Sequence, residues 1–454
     1  MPIRTNFRRV GCVALAIAVL CANGCRKSDR NDQQVTLVFS TITFPQVQYH
    51  GDPDIITDFT KKTGIAVKLL PYGNVDMGAR RAQHLNWLKE HAETPDVYEA
   101  DIVDVGTLAP YAVDLTPYLS VDDRQHIPAV MHNLTFDGRI VALPVHTDVV
   151  LLFYRTDLLK KYGYAHPPRT WNELEAMAAR IQAGERASGN SSFWGFVWEG
   201  STQNEGLTYT ALEWQASNGG GRIIEPDGTI SVDNPWTAAA LRRARKWVGT
   251  ISPPAVTAYQ MEDLANAWLS GRTAFMLNWP YYYSLGQSAD SFVRDKFDVA
   301  PVPAGLMGSA GTLGGWQVLV SNYSTHQKEA IELARYLTST ETQLRLAKGF
   351  NFMPTRLALY DDPQLLKASP YYAWLKNDFQ KLAVARPSGV TGEKYLAVSD
   401  AYKQAVHSVL AGDADPGDAL AKLAQTLTRI TGLPVRRPTA PLPFAMAAPQ
   451  QGAK

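Results

Sequence analysis

The chain has 454 residues, 45% of them hydrophobic, and a net charge of only +1. That is more chain than one core usually serves, so two domains of ordinary size are expected. The near-balanced charge offers no basic field for nucleic acid. All three Cys lie within the first 25 residues. The rest of the chain therefore has no thiol for a disulfide, a Cys nucleophile or a Cys-ligated metal. The nine His are scattered and none sits in an HExxH-like frame, so neither metal nor cofactor is expected.

The N-terminus reads MPIRTNFRR and then VGCVALAIAVLCA, a basic stretch before an apolar run. This is the pattern of a secretory signal. The run is shorter than the roughly 20 residues a membrane span needs. ANGC follows, ending in Cys25, with the polar RKSDRNDQQ after it. Small residues before a Cys at this place resemble a bacterial lipobox, which makes residues 1–25 a lipoprotein-type signal and 26–34 a linker. The match departs from the pattern at Ala22 and Asn23, and a plain secretory signal is the alternative.

Downstream, VTLVFST (35–41) reads as a strand and DPDIITDFTKKTG as a helix stopped at Gly64. IAVKLLPY is strand-like, MGARRAQHLNWLKEHAE helical, and PDVYEAD a strand ending in acid. This alternation predicts an α/β fold with helices on the faces of its sheets. IVALPVHTD (140–148) follows an FDGR turn. TWNELEAMAARIQAG opens with Thr170 and Glu173 at capping-box spacing, and SFWGFVWEG is a strand. EPDGT predicts a hairpin turn. NPWTAAALRRARKWVG places Asn234 at an N-cap and Pro235 at the first helical position. RTAFMLN is a strand that Pro280 stops, and TLGGWQVLVS (312–321) is another. Helices dominate from about 326 to 431. The Pro/Ala-rich segment 432–454 has little periodicity and is expected to be disordered.

Six separated stretches occur in order: ALPVHTDVVLLFYRTDLLKKYGYAHPPRTWNEL, FWGFVWEG, SNGGG, NWPYYY, TLGGWQVLVS and ARPSG. Together they resemble the extracellular solute-binding proteins of sugar ABC importers, most closely the trehalose/maltose-binding proteins, over essentially all of 35–430. The resemblance implies a periplasmic-binding-protein-like fold of two α/β lobes joined by a hinge, with a ligand cleft between them. Lobe 1 would span 35–147, with roughly 312–350 returning to it. Lobe 2 would span 148–311, with roughly 351–431 returning mainly to it.

A disaccharide presents hydroxyls at its edge and apolar C–H faces. Its cleft needs flat aromatic rings and a rim of Asp, Glu, Asn, Gln and Arg. Trp279 sits where Pro280 ends a strand, at a sheet's rim, and the resemblance makes it a stacking ring; a core Trp is the alternative. Tyr281 is the next ring expected to face the ligand, with Tyr282 and Tyr283 as half-buried packing. Gly314 and Trp316 match the family's binding Gly and Trp. Asp101 and Asp148 end strands, with His146 on the same side as Asp148; a cap or surface acid is the alternative for each Asp. His146 stands where a Tyr is common. Arg386 matches a family Arg that reaches sugar hydroxyls, against the alternative of a surface salt bridge, and Arg80 is similar. Near FPQVQY the family often has a Glu, where this chain offers Gln46 or Gln48; Gln46 is taken as the site residue.

The resemblance thus implies a non-enzymatic, exported, membrane-anchored monomer that captures trehalose or maltose for the transmembrane subunits of an ABC permease. Other ligands in view are another oligosaccharide or a glycerol-phosphodiester. The rival is an exported glycosidase using Asp101 and Asp148 as acid and base, although neither lies in a glycosidase motif. Replacing Cys25 by Ser is expected to release the protein from the membrane fraction; unchanged partitioning in fractionated cells would exclude the lipid anchor.

Overall fold

The computed structural model describes residues 34–42, 55–71 and 77–444. The signal segment, Cys25, Gln46 and Gln48 lie outside the described residues. The strands in chain order are β1 (Thr36–Thr41), β2 (Ala66–Pro71), β3 (Val97–Asp101), β4 (Thr135–Phe136), β5 (Arg139–Ile140), β6 (Leu143–Val149), β7 (Leu151–Arg155), β8 (Trp194–Val197), β9 (Thr273–Asn278), β10 (Phe297–Ala300), β11 (Gly311–Val320) and β12 (Ala383–Val384).

They form two sheets and a hairpin. The first sheet runs β12-β11-β3-β1-β2, with β6 also paired to β11; the second runs β10-β7-β9-β8. β1 lies parallel to β2 and β3, with Phe39 opposite both Leu69 and Val97. Leu37 and Phe39 are fully buried, as period-2 alternation requires of one sheet face. β11 runs antiparallel to both β3 and β6. Helices cover the sheets, so the α/β expectation holds. The β4–β5 hairpin turns on Asp137 and Gly138, both at positive φ (49° and 76°), as a two-residue primed turn demands.

Local signals read from sequence behave as their chemistry requires. Asn234 caps the helix Pro235–Trp247 by accepting from the Trp236 and Thr237 amides at 3.0 and 2.8 Å. Thr170 accepts from the Glu173 amide at 3.2 Å, while the Glu173 carboxylate takes the Arg169 amide rather than that of Thr170. The strand expected over 140–148 is divided: Arg139 and Ile140 belong to the hairpin, and β6 starts at Leu143.

The chain passes from the first sheet to the second through one residue. β6 ends at Val149, β7 begins at Leu151, and the Val150 amide donates to Thr312 of β11 at 3.2 Å. One buried apolar cluster includes residues of both sheets, among them Leu151, Phe153, Leu313 and Leu319. A second lies under the helices around the second sheet, and a third under β1.

The expected disorder of the C-terminal segment is corrected as far as residue 444. Val435 pairs with Ile230 and Leu442 with Gly220. The Arg222 guanidinium donates to the Phe444 carbonyl at 2.8 Å, and the Phe444 ring is 3% exposed. Arg437 pairs with Asp233 at 2.5 Å. Low periodicity misled because a strap needs only edge pairing and one apolar anchor. Phe444→Ala is expected to cost about 2–4 kcal/mol in thermal or urea unfolding; wild-type stability would show the strap to be loosely held.

Candidate functional site

β11 gathers the site. In its ladder Gly314 stands opposite Asp148, Gly315 opposite Thr147, and Trp316 opposite both His146 and Asp101. A register shift follows at Trp316/Gln317, a bulge of the kind that re-aims side chains beside binding sites. Gly315 has φ +121°, and a Cβ there would meet the His146 carbonyl at 2.5 Å. At Gly314 a Cβ would meet the six-membered ring of Trp279 at 2.7 Å. The two glycines therefore serve close approach, of strand on one side and ring on the other.

Trp279 follows the last residue of β9, and Asn278 pairs with Leu151 just beyond Asp148 in the chain. Its ring is 9% exposed and meets Tyr209 edge-on at 4.8 Å. It belongs to the core cluster of the second sheet as well as to the convergence at β11. Trp316 is half-buried, with the Arg80 guanidinium 4.2 Å over its ring. Arg80, in the helix Met77–Lys89, also lies 3.9 Å from Asp104.

His146 and Asp148 face the same side, with His146 Nδ1 3.4 Å from Asp148 Oδ2. The His146 ring stacks on Phe352 at 4.4 Å and 12°. Both residues are buried; Asp148 Oδ1 and His146 Nε2 have no hydrogen-bond partner among the described residues. Burial raises the Asp148 pKa, with Asp101 adding to the rise and His146 opposing it. Asp101 accepts from the Val103 amide at 3.1 Å and lies 3.4 Å from the Arg386 guanidinium. Arg386 is 6% exposed, so it is no surface salt bridge, and it also lies 3.6 Å from Glu205. Burial works to lower its pKa, but Tyr395, Asp101 and Glu205 outweigh burial and raise it.

Tyr281 is half-buried against Tyr282, its hydroxyl 2.7 Å from the Met261 sulfur. Tyr282 and Tyr283 are more deeply buried than the half-buried packing expected of them. Both fill the cluster that includes residues of the two sheets.

The structure thus brings Trp279, Gly314, Trp316, Asp148, His146, Asp101, Arg386 and Arg80 around one stretch of β11. Sequence reading missed Glu199, Glu205, Tyr209, Phe352 and Tyr395. An acid closing the apolar run FVWEG was an available signal for Glu199. No comparable signal marks Tyr395, which looks like any aromatic on a helical face.

Glu199 is 1% exposed, and the Tyr209 hydroxyl donates to it. A Cβ on Gly206 would meet its side chain at 2.2 Å. Burial pushes its pKa up to about 7, against the pull of Tyr209 and Asn204. The folded state therefore holds this proton more tightly than the unfolded chain, and this contribution to stability fades as pH rises from about 4.5 to 7. Relative to wild type, Glu199→Gln should gain stability at pH 8, by on the order of 1–3 kcal/mol, and little at pH 4.5. A stability difference independent of pH would show that Glu199 stays ionised when folded.

Residues 47–344 match the model of the bacterial extracellular solute-binding protein family. A probable ABC transporter-binding protein of Deinococcus radiodurans is 46% identical over 376 residues, covering 82% of this chain and 89% of that one. The arabinooligosaccharide-binding protein of Bacillus subtilis is 21% identical over 388 residues, covering 80% and 84%. The solved structure of maltose-bound MalE3 of T. maritima superposes with a TM-score of 0.78 at 32% identity, covering 87% of this chain and all of that one. The chain belongs to the bacterial extracellular solute-binding proteins and is the exported binding component of an ABC importer, not an enzyme.

Proposed function

We propose that this protein captures an α-linked disaccharide, trehalose or maltose, and delivers it to the transmembrane subunits of an ABC permease. The observation that carries the reading is the meeting of two Trp rings with the buried Asp148, the half-buried Asp101 and the buried Arg386 guanidinium at one stretch of β11. Trp279 and Trp316 supply flat apolar faces for the C–H surface of a sugar. Asp101, Asp148 and Arg386 supply charged partners for its hydroxyls, which shorten and strengthen hydrogen bonds. His146, Arg80 and Tyr281 complete the wall, and Gln46 is assigned to the ligand as well. The maltose bound in the T. maritima relative supports this choice of ligand class.

In this reading, lobe 1 comprises 35–147 and roughly 312–350, and lobe 2 comprises 148–311 and most of 351–431. The passage at Val150 acts as one hinge strand, and closure removes water from the ligand. An unpaired buried hydroxyl then costs about 1–3 kcal/mol, which is the source of discrimination between sugars. The protein works as a monomer held at the membrane through Cys25.

Calorimetry with trehalose, maltose and longer oligosaccharides tests the reading. Heat is expected with at least one α-linked disaccharide. Trp279→Ala should weaken that binding about 100-fold or more, and Gly314→Ala, which pushes the Trp279 ring aside, about tenfold. Folded protein that gives no heat with any disaccharide refutes the assignment. Heat only with longer oligosaccharides moves the ligand class.

A further inference from the structure

Glu205 occupies a place that the ligand site does not account for. It immediately precedes the helix Gly206–Ser217, which packs in the core of the second sheet's half. Its Oε1 accepts from Ser399 at 2.8 Å. Its Oε2 accepts from the Tyr395 hydroxyl and lies 3.6 Å from Arg386. Ser399 and Tyr395 belong to the helix Tyr395–Ala411.

Across from them stands the first sheet's half. Arg386 reaches Asp101 at the end of β3. Arg81 lies 5.8 Å from the Tyr395 ring and donates to Asp104, just beyond β3. Between the two, residues 383–395 leave the first sheet at β12 and touch the turn after β3, where Thr107 donates to the Gly392 carbonyl at 3.3 Å. The contacts form a continuous chain from Asp104 through Arg81, Tyr395, Glu205 and Arg386 to Asp101. Every one of these side chains is at least three-quarters buried.

We propose that Glu205 is a positioning residue: with Tyr395 it holds Arg386 on the second sheet's side for its bridge to Asp101 of the first sheet, and so sets how long the two halves stay closed over a ligand. The proposal rests on the two-lobe capture reading above. Its physical basis is that a buried guanidinium shared by two carboxylates loses most if one carboxylate is withdrawn. Opening must break the Arg386–Asp101 bridge, so the bridge acts on the opening step. A ligand that needs closure has its apparent affinity scaled by the closed fraction.

The test is Glu205→Gln, which keeps an acceptor for Tyr395 and Ser399 but removes the charge. Sugar binding is followed by stopped-flow Trp fluorescence, and the separation of the halves by spin labels at Val121→Cys and Phe292→Cys. Both label sites are strongly exposed, at 80% and 70%. The labelled protein is the full chain with Cys12, Cys21 and Cys25 replaced by Ser. The latch predicts a rise in the dissociation rate of at least about tenfold, an association rate within about twofold of wild type, and a label distance shifted toward longer values. A variant with wild-type dissociation and wild-type distances overturns the proposal. So does one whose melting temperature falls while its dissociation rate stays unchanged, since that marks a purely structural ion pair. If wild type binds no sugar in the panel, the capture reading fails; the label distances of wild type and variant without ligand then decide the latch, and identical distributions overturn it.

Discussion

The site depends on a close approach that only glycine allows. At Gly314 and Gly315, β11 lies against β6 on one side and under the Trp279 ring on the other, with no room for a Cβ at either position. That contact brings the end of β9, in the second sheet, against the middle of a strand of the first. Asp148 stands opposite Gly314 and His146 opposite Trp316, while Asp101 stands opposite Trp316 from β3. Because the strand register fixes the order of the ladder, the functional side chains need few contacts of their own to be placed.

Electrostatics follows from that convergence. Carboxylates and guanidinium groups that are mostly buried lose much of their water, which is unfavourable unless they are paired. Arg386 satisfies the condition by serving Asp101 and Glu205 together, and Arg81 by serving Asp104. Asp148 does so less fully, with an imidazole at 3.4 Å and one oxygen lacking a partner among the described residues. Polar capacity held in reserve at such a place suits a molecule that brings its own hydroxyls.

Much of this was legible in the sequence. Apolar, β-rich runs such as VTLVFST, RTAFMLN and TLGGWQVLVS marked most of the long strands. Pro280 marked the end of β9, and acids at strand ends marked Asp101 and Asp148. The motif order marked the family. What stayed hidden depends on contacts between distant segments. Arg386 gains its meaning only beside Asp101 and Glu205, which lie 285 and 181 positions away. Phe352 matters because it stacks on His146, which lies 206 positions earlier in the chain. The C-terminal strap escaped notice because pairing with residues 219–233 leaves no period in its own sequence.

The most direct measurement is a crystal structure of the protein with trehalose or maltose bound. A sugar ring is expected against Trp279 or Trp316, with hydroxyls on Asp148, Asp101 and Arg386. A sugar lodged elsewhere, with those residues still touching only one another, would contradict this expectation.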